Sequence, residues 1–184
     1  IVEIGFWPGG DRDGNPFVTT EITLDVAKRL RATLFRNYYR DVRKLRRRLT
    51  FKGVEEQLAV IESMCYKAIF ETEVLDFTPE DLIHKLTSIR RLVFQDHNSL
   101  FLDQIDSFIH KVELFGFHFA TLDIRQDSSA HDTVFDEILA FSKVQLPSNY
   151  NDLSEKEKIN VLSQVEGSVD PNEYNDEYTQ RTLS

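Results

Sequence analysis

The chain has 184 residues, 41% of them hydrophobic and 29% charged, and 22 Lys and Arg against 31 Asp and Glu give a net charge of −9. That length suffices for one domain or a little more, with a core that buries about 70% of the unfolded surface. The charge disfavours nonspecific nucleic-acid binding by the whole molecule, the apolar runs fall short of the roughly 18 residues of a membrane span, and the single cysteine, Cys65, excludes an internal disulfide and fits a reducing cytoplasm.

Met64 is the only methionine, and Ile1-Val2-Glu3-Ile4-Gly5-Phe6-Trp7 reads as a strand already under way, so an internal excerpt of a longer chain is expected. Pro8 to Pro16 form a Gly-rich loop. Thr19 or Thr20 caps a long helix, with Glu21 and Asp25 at its positive end and Arg46 to Arg48 at its negative end. Ile22, Val26, Leu30, Leu34, Tyr38, Val42, Leu45 and Leu49 step by three and four, which predicts one buried stripe. The same helix carries ten basic residues and one acid, Asp41, between Lys28 and Arg48. Such a run marks a nucleic-acid helix, a solvated face, or a face docked on acidic neighbours, and the overall charge favours the last two.

A break at Phe51-Lys52-Gly53 leads into a second helix over 54–71, and Thr78-Pro79 opens a third to about residue 94. Cys65 falls inside the second and reads as a buried, inert thiol. Asn98 or Ser99 starts a fourth helix that ends near Phe115-Gly116. Phe117 to Arg125 reads as a second strand and 129–143 as a helix, with a break at Pro147-Ser148-Asn149. Ser154 and Glu157 make a capping box for a last short helix to about residue 165. The expected fold is mainly α with two short strands, a helical excerpt of a β/α barrel with large helical insertions. One segment, 1–166, precedes an irregular tail over 167–184. Such an excerpt bares strand edges and apolar faces, so self-association or local rearrangement is expected.

Two motifs could carry chemistry. In Gly9-Gly10-Asp11-Arg12-Asp13-Gly14-Asn15-Pro16, the glycines admit positive φ and close approach. Arg12 between two carboxylates is either part of an anion-binding loop or the centre of a self-locked turn. A calcium loop is excluded, because setting Gly14 at the sixth position puts Gly9 and Thr20 where carboxylates are required. In Leu122-Asp123-Ile124-Arg125-Gln126-Asp127, alternation puts Asp123 and Arg125 on one face. Arg125 at a strand end is a natural fork for phosphate or carboxylate, oriented by Asp123, or else a plain Arg–Asp pair. His84, His97, His110, His118 and His131 lack metal-ligand spacing, and no zinc, P-loop, dinucleotide or nucleophile-elbow motif is present.

Together the motifs resemble phosphoenolpyruvate carboxylase. Phe6 to Thr19 is similar to that family's W-x-G-G-D-R-D-G-N-P-x-V-T signature, and Leu122 to Gln126 to its L-D-[IV]-R-Q signature, so the resemblance spans the chain to about Glu166. It implies a large, mostly helical barrel enzyme, usually a homotetramer. Such an enzyme joins bicarbonate to phosphoenolpyruvate with Mg²⁺ or Mn²⁺, through carboxyphosphate and the pyruvate enolate, to give oxaloacetate and phosphate. It further implies that Arg125 binds the substrate phosphate, supported by Asp123 and Gln126, and that Gly9, Gly10, Asp11, Arg12, Asp13, Gly14 and Asn15 form a loop of the same site. The family's catalytic histidine and metal carboxylates match nothing in this sequence. The resemblance therefore implies no catalytic or metal residue here, and inactivity without the remainder of the polypeptide. One departure stands out: where the family usually has a basic residue before the histidine of R-Q-E-S-x-[RK]-H, this chain has Ala130 before His131. The alternative from another class is a non-enzymatic binding or regulatory helical module that uses the basic helix over 28–48. A third reading gives residues 20–115 a role in subunit contacts.

Overall fold

A computed structural model describes residues 4–13, 15, 17–70, 75–141, 146–147, 149–165 and 169–183. In chain order these form β1 (Gly5–Phe6), α1 (Thr20–Arg48), α2 (Glu55–Phe70), α3 (Pro79–Asp96), α4 (Leu102–Phe115), β2 (Thr121–Leu122), α5 (Ser128–Phe141), α6 (Glu155–Leu162) and α7 (Glu177–Leu183). The fold is mainly helical, with one parallel strand pair, Gly5 opposite Thr121 and Phe6 opposite Leu122. The chain divides into two compact units, residues 4–10 with 21–123, and residues 11–20 with 124–183.

The first unit is a helical core. Phe35, Val42, Leu49, Leu58, Ile61, Leu82, Leu86, Ile89 and Ile105 are completely buried, drawn from α1 to α4 and the turn after α1. Phe35 lies with its ring centroid 4.9 Å from Phe117 and 6.3 Å from Phe77, and Tyr38 meets Phe108 at 5.5 Å, edge-on as aromatic quadrupoles favour. The Tyr38 hydroxyl donates to the carbonyls of Lys111 (3.3 Å) and Gly116 (2.8 Å). Burial pushes its acidity well outside the usual range, so it stays a donor. Cys65 is buried as expected, and burial pushes its thiol up to about 12.

Polar chemistry fixes the ends. Thr78 caps α3: its hydroxyl accepts from the Asp81 amide at 3.2 Å while the Asp81 carboxylate accepts from the Thr78 amide at 2.9 Å. The C-terminal part of the basic run of α1 is engaged by its neighbours. Arg43 and Arg46 pair with Glu62, Arg46 also with Glu55, and Lys111 of α4 pairs with Asp41. Arg48 lies over the Phe101 ring. Arg43 and Arg46 are thus the acid-matched part of the run.

Several expectations shift. The apolar stripe of α1 is buried only from Leu34 onward, whereas Ile22 is exposed and Val26 and Leu30 are half-buried. The fourth helix starts at Leu102 and not at Asn98 or Ser99. Both of those residues and Phe101 take positive φ, which a right-handed helix cannot contain. The second strand shrinks to Thr121–Leu122, because Phe117 turns into the helical core and Phe119, at φ 70, stacks on Phe115. His118 therefore sits in a turn, not on a strand. Residues 1–3 of the first expected strand lie outside the described residues, as do 142–145 of the helix placed over 129–143.

Within the strand pair, the Asp123 amide donates to the Phe6 carbonyl at 2.8 Å. A Cβ at Gly5 would sit 2.9 Å from Asp123 Oδ2, so the absence of a side chain makes room for that carboxylate.

In the second unit α5 packs on α7, with Ala130, Val134, Tyr174 and Thr179 buried. The tail read as irregular from residue 167 instead holds a 3-10 turn at Pro171–Glu173 and the helix α7. Its start is set by Asp176, whose carboxylate accepts from the Thr179 amide at 2.8 Å. The capping box at Ser154 and Glu157 forms as expected and opens α6.

Candidate functional site

The Gly-rich loop begins in the first unit. Gly9 has φ 89, and a Cβ there would come within 2.6 Å of Val26 Cγ2, so both dihedral and space require glycine. Its carbonyl accepts from the Thr23 hydroxyl at 2.6 Å, and the buried Gly10 donates to Trp7 O at 2.9 Å.

Asp11 to Asn15 belong to the second unit, together with Arg125. Asp11 forms a parallel bridge with Arg125, closed by the Arg12 amide donating to the Arg125 carbonyl at 2.8 Å. Next to this bridge, Asp11 Oδ2 lies 3.9 Å from Arg125 Nη1. The Arg125 side chain is 60% exposed and that of Asp11 28%. Asp11 Oδ1 is enclosed and has no hydrogen-bond partner among the described residues.

Arg12 behaves differently from expectation. It is buried, and its guanidinium donates to the Arg181 carbonyl (3.1 Å) and the Thr20 hydroxyl (3.2 Å), not to the flanking Asp11 and Asp13. Arg181 answers from α7, donating to the carbonyls of Asn15 at 2.9 Å and Val18 at 3.5 Å. Arg12 is thus a structural tie between loop and C-terminal helix. Asn15 closes an Asx-turn by accepting from the Phe17 amide at 3.0 Å. Asp13 is exposed, and Gly14 and Pro16 lie outside the described residues.

Among the residues of the second motif, Asp123 is exposed and turned toward Gly5, while Gln126 Oε1 accepts from the Asp127 amide at 3.2 Å. Asp127 caps α5: the Ser129 amide donates to it at 2.9 Å, and that bond holds its carboxyl below the usual range. Ala130, where a basic residue was anticipated from the resemblance, is 3% exposed and packed inside the unit, a place that suits a methyl and not a cation.

The structure therefore brings together Asp11 and Arg125, leaves Asp123 out of that pair, and gives Gln126 a local backbone role. Sequence reasoning missed Arg181 and Thr179, although the Asp176 cap before Tyr178 and Leu183 was a readable start for their helix. No group of three or more His, Cys, Asp or Glu side chains that could hold a metal occurs among the described residues. None of the described helices is long and apolar enough to cross a membrane. Chemically, the site offers an exposed guanidinium backed by a carboxylate, which suits recognition of an oxyanion.

Comparison with known proteins gives one family. The family model described as phosphoenolpyruvate carboxylase matches residues 1–68 and 64–171. Curated relatives with that name include proteins from Corynebacterium glutamicum (25% identical, 88% of this chain and 22% of the relative), Prochlorococcus marinus (28%, covering 84% and 21%) and Nitrosomonas eutropha (29%, covering 88% and 22%). The chain spans about a fifth of the length of these relatives, 21–22%.

Proposed function

The chain belongs to the phosphoenolpyruvate carboxylase family, and on that premise we propose that it works as part of a longer polypeptide, where Arg125 binds the phosphate of phosphoenolpyruvate. The longer protein joins that substrate to bicarbonate, forming oxaloacetate and phosphate. The reading rests on one observation above all: Arg125 is 60% exposed and, among the described residues, its guanidinium meets only a carboxylate oxygen at 3.9 Å, too far for a hydrogen bond. Its planar set of donors remains available to a doubly charged oxyanion, and its positive charge offsets what accumulates as the phosphoryl group leaves.

Asp11 and Arg12 supply the scaffold under Arg125 by the backbone bridge at Asp11. Arg12 secures that scaffold. The Mg²⁺ or Mn²⁺ that the resemblance implies finds no ligand set among the described residues, so no step is assigned to it here. The chain alone is expected to be inactive, since no residue here takes the part of the family's histidine. The engagement of the α1 cations by Glu55 and Glu62 weighs against the basic-helix module.

Arg125→Ala in the complete enzyme should raise KM for phosphoenolpyruvate and lower turnover, together about 2–5 kcal/mol, the usual effect of stripping one partner from a desolvated charge pair. Arg125→Lys should recover only part of it, because the ammonium keeps the charge and loses the fork. Steady-state kinetics decide. Near-parental constants for Arg125→Ala would remove Arg125 from the substrate site.

A further inference from the structure

We infer that Asp11 is the residue that positions Arg125, the part assigned from sequence to Asp123; this deepens the phosphate-binding role proposed for Arg125 and rests on it. Asp123 has its carboxylate toward Gly5. Asp11 instead shares a backbone bridge with Arg125, with a 2.8 Å amide–carbonyl bond alongside, so the two side chains start from a fixed relation. The carboxylate is the anchored partner, 28% exposed against 60%, with Oδ1 enclosed and without a hydrogen-bond donor among the described residues. An enclosed carboxylate oxygen without a donor is stabilised by a nearby cation, so Asp11 draws the guanidinium toward itself.

The 3.9 Å separation matters for what Arg125 can still do. A bidentate clamp would occupy the edge of the fork that a phosphate uses. At this distance charge attraction narrows the directions open to a long side chain and leaves its donors unspent. Asp11 therefore lowers the ordering cost of anion capture without competing for the hydrogen bonds.

The sign of a mutational effect separates this role from a simple charge effect. Asp11 is an anion beside an anion site. If it acted only through its charge, Asp11→Asn would tighten phosphoenolpyruvate binding. As a positioning residue, its loss weakens binding.

The experiment compares Asp11→Asn and Asp11→Glu with Arg125→Ala in the complete enzyme, reading KM for phosphoenolpyruvate, KM for bicarbonate, kcat, and competitive inhibition by inorganic phosphate. Asp11→Asn should raise the phosphoenolpyruvate KM and the phosphate inhibition constant by about three- to fivefold, the scale of a partly exposed ion pair, while the bicarbonate KM stays put. Asp11→Glu should restore part of the loss by keeping the charge. A merely structural role would lower kcat, move both KM values together and show no rescue by Glu, and that pattern overturns the inference. So does a phosphoenolpyruvate KM that is unchanged or lower in Asp11→Asn. If the Asn variant does not fold, the Glu variant decides by itself: a selective, modest rise in the phosphoenolpyruvate KM supports positioning, and parental values refute it. Parental kinetics in Arg125→Ala would instead sink the underlying function, whereas a damaged Arg125→Ala beside a normal Asp11→Asn sinks only the role of Asp11.

Discussion

Phe35 in the helical unit is wholly buried among Tyr38, Phe77 and Phe117, whereas Arg12, the buried guanidinium of the other unit, is fixed by a carbonyl and a hydroxyl. The first unit draws on nondirectional apolar burial, with a core running through four helices. Among its described residues the second has few buried apolar ones, Val18, Ala130, Val134 and Tyr174, and it relies on directional bonds at chain ends and turns. Burial tolerates variation in detail and resists local opening, while a polar tie holds a loop in one geometry and fails when one partner is lost. The residues proposed to meet substrate belong to the unit held by polar ties. A site for an oxyanion needs donors aimed with accuracy, and directional bonds supply that aim.

The comparison breaks most visibly at Phe35. Phe35→Ala should cost about 3–5 kcal/mol in chemical denaturation, the usual range for emptying a fully buried ring site. The loss should appear in the global transition, because the ring joins α1 to Phe77 and Phe117.

A smaller, local effect is expected at Arg12. Arg12→Ala removes two charge-assisted bonds and should cost about 2–3 kcal/mol of local stability. Hydrogen exchange should speed up at Val18 and over α7 while the amides of α2 and α3 stay protected. A uniform loss of protection across both units would show that the two are not held independently.

The smallest effect sharpens the contrast by pH. Asp127, Glu157 and Asp176 cap α5, α6 and α7, and their carboxyls are held below the ordinary values of 3.8 (Asp) and 4.5 (Glu). The chief causes are the Ser129 amide for Asp127, the Ser154 hydroxyl for Glu157 and the Thr179 amide for Asp176. Because the folded values are depressed, this stabilisation is complete above the ordinary range and disappears as pH falls through the lowered values. Helix ends in the second unit should therefore fray in acid before the apolar core of the first, as should the start of α3, where Asp81 has the same kind of shift. Amide exchange followed down a pH series checks the order. Simultaneous fraying would deny the caps this role.

The helices were the most legible part of the sequence, since periodic apolar residues and caps act locally. Thr78-Pro79 and Ser154 with Glu157 open helices where their chemistry says they should. The strands were less legible, because Phe117 and Phe119 look like strand residues and serve the helical core instead. The aromatic content of that stretch reports burial, not backbone direction. In the candidate site, the exposure of Arg125 follows from its place after a strand. The partnership with Asp11 does not, since 114 positions separate the two and only the backbone bridge brings them together. The partners of Arg12 were hidden for the opposite reason. Its sequence neighbours are carboxylates, yet its actual partners come from Thr20 and from α7.

A parallel pair two residues long has almost no apolar alternation with which to choose its alignment. Gly5 supplies the choice by omission. Sliding β1 one step either way would bring the Cβ of Ile4 or Phe6 to the spot now open to the Asp123 carboxylate, which would have to swing aside. The missing side chain is a shallow notch: it favours the present alignment by little more than the turning of one exposed carboxylate, where longer strands use a pattern of filled positions.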